Sequence, residues 1–218
     1  MNILVQNRFW VIGWLILVHT SGVIGLNLSP EFFLAFTPLN LILSALLLLG
    51  MQERINYMIP LMWFAAAFAG WFVEVVGVNT GWIFGDYSYG RTLGIQMVGV
   101  PLLIGVNWAT LILAGLQVAR HQFLISSRGL AALSVAGILL VLDVLMEFVA
   151  PKLDFWTFYS GNKSTSFPGV HNFAGWAITG FVISYALHPY LSRGVNRMAP
   201  VYLLIQILFF AALAITLP

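Results

Sequence analysis

Seven stretches of the chain are apolar for about the length that a helix needs to cross roughly 30 Å of hydrocarbon, about 20 residues each. They run Phe9 to Leu26, Phe32 to Met51, Tyr57 to Val78, Val98 to Val118, Leu130 to Val149, Val170 to Leu187 and Ala199 to Leu217. The pattern predicts an all-α fold, a polytopic membrane bundle of about seven transmembrane helices, spanning residues 1–218 as one integral membrane domain. Arg8 is the lone charge before the first stretch, which is too long and lacks a small-x-small cleavage pattern, so it reads as a helix rather than a signal peptide. Local signals mark helix starts: Ser29-Pro30-Glu31 offers a cap, a first-turn proline and a first-turn acid, and Pro101 and Pro168 stand near the starts of the fourth and sixth helices. Connections are short except at 79–97 and 150–169, which are long enough to be candidates for function.

Composition sharpens this picture. Apolar residues make up 61% of the 218 and charged residues 7%, with a net charge of +2, which excludes a soluble enzyme, a disordered segment and a nucleic-acid binder with a basic face. The absence of cysteine removes disulfides, thiolate metal sites and cysteine nucleophiles. Six basic residues (Arg8, Arg54, Arg120, Arg128, Arg193, Arg197) fall on one side of the predicted topology and three (Arg91, Lys152, Lys163) on the other. The positive-inside rule then predicts the N-terminus inside, in the cytoplasmic membrane, with both long connections on the outer face.

An ionisable residue at bilayer depth costs about 2.5–3.5 kcal/mol on insertion scales, so the three acids within the spans stand out. Glu74 lies near the outer end of the third helix, and Asp143 and Glu147 lie in the last turns of the fifth, so all three fall at one depth. Asp143 and Glu147 are four residues apart, about 6 Å along the axis on one helical face, and two carboxyl groups that close are expected to hold one proton between them. A structural role, with Lys152, Arg91 or backbone donors capping the acids, is the competing reading. The outer connections are aromatic: Trp82, Phe84, Tyr87 and Tyr89 in the first, with Asn79, Asp86 and Arg91, and Phe155-Trp156-Thr157-Phe158-Tyr159 in the second. They read either as an interfacial belt or as the wall of a pocket whose π faces meet a long apolar ligand or a developing cation. Each connection leads to a helix with a proline near its start, followed by a polar residue and a tryptophan, Asn107-Trp108 and His171-Asn172 with Trp176, which hints at a duplicated unit about 70 residues apart. His19 reads as an interhelical hydrogen bonder.

Four isolated histidines exclude the multi-His clusters of membrane di-iron oxygenases, and no phosphate loop, nucleophile elbow or paired-His zinc motif occurs. Glu74, Asp143, Glu147 and His171 could hold Mg²⁺ or Mn²⁺ by chemistry alone, but no ligand spacing supports it, and neither metal nor cofactor is expected. What remains is acid chemistry in an apolar, aromatic chamber.

From Glu74 to Trp176 the chain resembles the membrane-integral carotenoid 1,2-hydratases, within the wider carotenoid biosynthesis protein family of bacteria and haloarchaea. The residues that carry the resemblance are Glu74 with Gly77-Val78-Asn79-Thr80-Gly81, Phe84-Gly85-Asp86-Tyr87-Ser88-Tyr89, Gly99-Val100-Pro101-Leu102, Asp143 with Glu147, Lys152, Phe155-Trp156-Thr157, and Asn172-Phe173 with Gly175-Trp176. The chain departs from the family pattern at Phe148, where a proline is common, and at His171. The resemblance implies cofactor-independent addition of water across the terminal C1–C2 double bond of an acyclic ψ end group, as in γ-carotene. On that basis Asp143, Glu147 and Glu74 are the catalytic candidates, and Asn172, His171, Tyr87, Asp86, Tyr89, Trp82, Trp156, Asn79 and Asn107 the substrate-binding ones. Trp82, Trp156 or Tyr87 would face the cation, and Asn172, His171 or a carboxylate would hold the water. An end-group cyclase using the same protonation, and a carotenoid carrier or binder without turnover, are the alternatives. The partners implied are a long apolar carotenoid and membrane lipid, with room for association with other enzymes of carotenoid biosynthesis and none for nucleic acid.

Overall fold

The computed structural model describes residues 6–53, 56–161, 163–165 and 167–217. The chain folds into helices α1 (Arg8–Leu28), α2 (Pro30–Leu34), α3 (Thr37–Gly50), α4 (Met58–Thr80), α5 (Leu102–His121), α6 (Arg128–Glu147), α7 (Val170–Leu191) and α8 (Ala199–Thr216). Five of these, α1, α4, α5, α6 and α8, are long and apolar enough to cross a membrane. α7 has 22 residues, but His171, Asn172, Thr179, Ser184 and His188 dilute its apolar character. α5 is the central element, its side chains buried along nearly its whole length against α4, α6 and α8. The lipid-facing helices instead expose Phe64, Phe68, Leu204 and Leu208, as expected where the surrounding solvent is hydrocarbon.

The second span is not one helix. α2 stops after five residues and the chain restarts at Thr37, because Pro38 in the first turn of α3 lacks an N–H and disfavours helical geometry in the residue before it. With only 14 residues, α3 is shorter than a full span. Ser29 does precede α2, with Pro30 and Glu31 in its first turn, although the serine side chain makes no capping bond. α5 begins at Leu102 rather than Val98, since Gln96–Met97 (β2) and Val100–Pro101 (β3) pair as a hairpin. Arg54, counted toward orientation, lies outside the described residues.

The two long connections join each other. Tyr87–Tyr89 (β1) pairs antiparallel with Trp156–Ser160 (β4), and β4 with Lys163–Thr165 (β5), giving a three-stranded sheet in the order β1-β4-β5. The register sets Tyr87 opposite Phe158 and Tyr89 opposite Trp156. The sheet caps one face of the bundle, where Lys152 Nζ also donates to Leu217 O at 3.0 Å and ties down the end of α8. On the opposite face Arg197 pairs with Glu53 at 2.7 Å, and Gln117 donates to Gln52 at 2.9 Å.

Glycines let the parts approach. A Cβ at Gly70 would strike the Trp108 side chain, and one at Gly175 would strike the backbone of Ile83, so α4 meets α5 and the first connection meets α7 at van der Waals range. Gly81 ends α4 in the left-handed conformation at φ 70°. Val98 has φ 55° in the turn of its hairpin, a conformation that a β-branched side chain adopts only under strain. Val98→Asn should therefore stabilise the protein by roughly 1 kcal/mol, seen as a higher unfolding midpoint in detergent; an unchanged or lower midpoint would mean that the turn is not strained.

Candidate active site

The three intramembrane acids meet beneath the sheet. Glu74 is 2% exposed, Asp143 0% and Glu147 1%, and among the described residues no ion pair involves any of them. The capping cations offered by the competing reading are elsewhere: Lys152 is held by Leu217 O and Arg91 is exposed. Hydrogen bonds take the place of counter-charges. Trp108 Nε1 donates to Glu74 Oε1 at 2.8 Å, Tyr89 OH donates to Oε2 at 2.8 Å, and Tyr87 OH donates to the same oxygen. The two phenols come from alternate positions of β1, which Gly77 and the ring of Phe84 allow to sit over α4. Burial first, and the Glu74 carboxylate second, push both phenols well above the ordinary tyrosine range, so they remain donors through neutral and mildly alkaline pH.

Asp143 and Glu147 are joined by one side chain. Asn172, 1% exposed in the first turn of α7, directs Nδ2 to Asp143 Oδ2 at 3.1 Å and to Glu147 Oε1 at 3.0 Å. Trp156 on β4 donates from Nε1 to Glu147 Oε2 at 3.1 Å. Asp143 Oδ1 is buried and accepts from no N–H or hydroxyl donor among the described residues. The helical spacing that brings two carboxyl groups together is thus reinforced by a donor from another helix and one from the sheet. Asn172→Ala removes a donor shared by two buried acids, and is expected to cost about 2–3 kcal/mol of stability. A detergent melting curve within 1 °C of the parent would show that the bridge holds nothing.

A void of about 20 Å³ lies among these groups, bordered by Glu74, Tyr89, Asn107, Glu147, Asn172 and Trp176. Such a space suits about one water. Trp108 and Trp176 stack with ring centroids 4.3 Å apart and form one aromatic wall. Ile104, Asn107 and Trp156 border this void and also a much larger one of about 480 Å³, which runs between α1, α2, α3 and α8 and is walled by apolar side chains such as Leu17, Leu26, Phe33, Leu41 and Phe209. The acid chamber therefore adjoins the large apolar cavity across these three side chains.

Of the twelve residues singled out from sequence, Glu74, Asp143, Glu147, Tyr87, Tyr89, Trp156, Asn107 and Asn172 come together here. Four do not. Trp82 is 78% exposed, Asp86 and His171 are exposed, and Asn79 ties the Gln96–Pro101 hairpin to α4 by donating to Val98 O at 3.3 Å and Val75 O at 2.8 Å. Asp86 contributes its backbone carbonyl to Tyr159 N–H at 2.8 Å, which extends the sheet. With His171 outside, no three His, Asp or Glu side chains among the described residues form a metal-binding group. Trp108 and Trp176, the aromatic wall, were visible in sequence only as the tryptophans that follow Asn107 and Asn172. The cavity walls from α1 and α2 carry no motif at all.

Comparison with known proteins points the same way. No solved structure matches the chain. A bisanhydrobacterioruberin hydratase from Haloarcula japonica is 29% identical over 122 residues, covering 50% of this chain and 38% of that protein, so the chain spans well under half the length of this relative. The sequence profile of a family described as carotenoid biosynthesis protein matches residues 32–217, which takes in α3 to α8, all three acids and both aromatic connections. The chain is therefore a member of the carotenoid biosynthesis protein family.

Proposed function

We propose that this protein is a carotenoid hydratase that adds water across the terminal C1–C2 double bond of an acyclic end group by acid catalysis. The observation that carries the reading is the Asn172-bridged pair Asp143 and Glu147 beside a water-sized void that adjoins a large apolar cavity. The polyene would lie in the 480 Å³ cavity, with its end group pushed past Ile104 and Trp156 toward the acids.

An alkene is a very weak base, so its protonation needs a carboxylic acid sheltered from bulk water. The Asp143–Glu147 pair delivers its shared proton to C2, and the π electrons of the double bond form the new C–H bond. The positive charge is left at the tertiary C1. The Trp108 and Trp176 faces and the Glu74 carboxylate, fixed by three donors, stabilise that cation. Water then forms the C–O bond with a lone pair and returns a proton to the pair, so the acid is regenerated and one water is consumed per turnover.

The water-holding role passes to Asn107. Asn172 Nδ2 already serves both acids and His171 is exposed, whereas Asn107 borders the void and makes no side-chain hydrogen bond among the described residues. Membranes containing the protein, supplied with an acyclic carotenoid in ¹⁸O-water, should yield a pigment heavier by one water whose hydroxyl carries the label. An isomer of unchanged mass would favour a cyclase, and unaltered pigment would favour a carrier or binder.

The sheet face would be the outer one, with the N-terminus inside, because among the described residues five basic side chains (Arg8, Arg120, Arg128, Arg193, Arg197) lie toward the other side and three (Arg91, Lys152, Lys163) toward this one. A cysteine-free chain makes this simple to test. A single cysteine replacing Lys163 should react with a membrane-impermeant maleimide on intact cells, and one replacing Arg193 only after permeabilisation. The reverse pattern would invert the topology.

A further inference from the structure

At the face opposite the sheet, another cavity of about 190 Å³ lies between the start of α1, the chain just past α3 and the approach to α8, lined by Arg8, Ile12, Met51, Glu53, Arg197 and Met198. A dry cavity of roughly 150 Å³ takes a benzene-sized molecule, so this one has room for a phosphate group and the first atoms attached to it. Its walls are of two kinds. Met51 and Met198 are buried and join Val11 and Leu15 in a small apolar cluster separate from the main core, and Ile12 packs against that cluster. The other three groups are charged, two guanidiniums and one carboxylate. Arg197 Nε donates to Glu53 Oε1 at 2.7 Å, while Arg8 has neither an ion pair nor a side-chain hydrogen bond among the described residues. Its guanidinium carbon stands 5.2 Å from the centroid of the Phe9 ring. Among the residues that line the cavity, one positive charge is therefore left uncompensated beside aliphatic walls.

Charge and wall chemistry together select the occupant. A guanidinium fork matches the oxygens of a phosphate, and one phosphodiester carries the single negative charge that balances two arginines and a glutamate. A free anion would meet the charge but leave Ile12, Met51 and Met198 facing water, whereas a phosphodiester on an acylated glycerol lays aliphatic carbon against them. Phe9 and Trp10, 73% and 81% exposed, flank Arg8 at the end of an apolar helix, where aromatic side chains meet the headgroup layer of a membrane. We infer that this cavity binds one anionic glycerophospholipid, its phosphate held between Arg8 and Arg197 and the start of its acyl region lying on Ile12, Met51 and Met198. A zwitterionic headgroup brings the same phosphate with a cation attached, and so leaves the extra positive charge in place. The bound lipid ties α1 to the chain just past α3 and just before α8. Since α1 contributes Trp14, Leu17 and Val18 to the wall of the 480 Å³ cavity, the lipid steadies a helix on which that cavity depends.

The test is binding, and none of its readouts requires turnover. Delipidated protein in detergent micelles is titrated with phosphatidylglycerol, with phosphatidylcholine and with inorganic phosphate; native mass spectrometry counts retained lipid, and melting curves report stabilisation. The wild type should retain one phosphatidylglycerol, at least about tenfold more tightly than phosphatidylcholine, and unfold at a higher temperature when it is bound. Arg8→Gln should cut that preference about fivefold, the share of one basic residue at an anionic headgroup. Ile12→Trp takes up much of the space without altering the charge, and should also lose the tightly held lipid. Arg193→Gln removes the same charge from an exposed position on the same face that does not line the cavity, and should leave the preference unchanged.

Equal retention of the two lipids by the wild type, or a preference that survives intact in Arg8→Gln, would overturn the inference. So would an equal drop in Arg193→Gln, which would mean a diffuse surface field rather than a site. Stabilisation by inorganic phosphate as large as that by phosphatidylglycerol would likewise overturn it, since the cavity would then take a free ion.

Discussion

Glu147→Gln is expected to lower the hydration rate by at least about 10²-fold, and by as much as 10⁴-fold, the range that general acid catalysis supplies. The amide keeps the shape of the carboxyl group, and its one oxygen can still accept from either Asn172 or Trp156, which donate to different oxygens of Glu147, so the protein should still reach the membrane in normal amount. It cannot hold the shared proton. Asp143→Asn should behave similarly, and the double variant should be little worse than either single one, because two groups that share one proton act as a unit. Rates are read from pigment conversion in membranes normalised to protein. Near-normal hydration by both single amides would remove the pair from the chemistry and leave Glu74, with its three donors, as the remaining acid.

The second large effect concerns the product rather than the rate. Asn107→Leu takes away the side chain assigned to hold water at the mouth of the chamber, while preserving approximate volume. The cation should still form, since neither the acid pair nor the Trp108–Trp176 wall is touched. Without a held water it loses a proton or is captured by a neighbouring double bond. The expected result is a shift of at least about tenfold, corresponding to about 1.4 kcal/mol, from hydrated pigment toward isomers of unchanged mass. Asn107→Ser, which restores a small hydroxyl, should recover part of the hydrated product. A merely structural asparagine would lower both products together, and an unchanged ratio in Asn107→Leu would return the water to another group.

The acids were legible in the sequence because ionisable residues inside apolar runs are rare and their depths follow from counting along helices. Asp143 and Glu147 share a face by spacing alone, and Glu74 reaches the same level once alternate helices are taken as antiparallel. The joint made by the sheet was not legible. β1 has three residues and β4 five, and a run such as Tyr87-Ser88-Tyr89 looks the same whether it forms an interfacial belt or a strand whose Tyr87 pairs with Phe158, 71 positions away. For the same reason Trp82 and Trp156 looked equivalent, yet one is exposed and the other donates to Glu147. The break at Ala35 and Phe36 was hidden because hydrophobicity continues through it, although Thr37-Pro38 is a helix-start signal of the kind read at Ser29-Pro30. The long cavity depends on how far α1, α2, α3 and α8 stand apart, and no periodicity within one helix encodes the distance between two. Asn172 was recognised as a polar group at the right depth, but its bridging of both acids depends on the rotation of α7.

The most direct test of the account is expression in a host that accumulates lycopene or γ-carotene and their monohydroxylated derivatives, comparing the wild type with Glu147→Gln by chromatography and mass spectrometry. The account predicts a pigment heavier by one water in the wild type and its near-complete loss in the variant at equal membrane abundance. A wild type that changes no pigment, or a Glu147→Gln variant that hydrates as well as its parent, would contradict it.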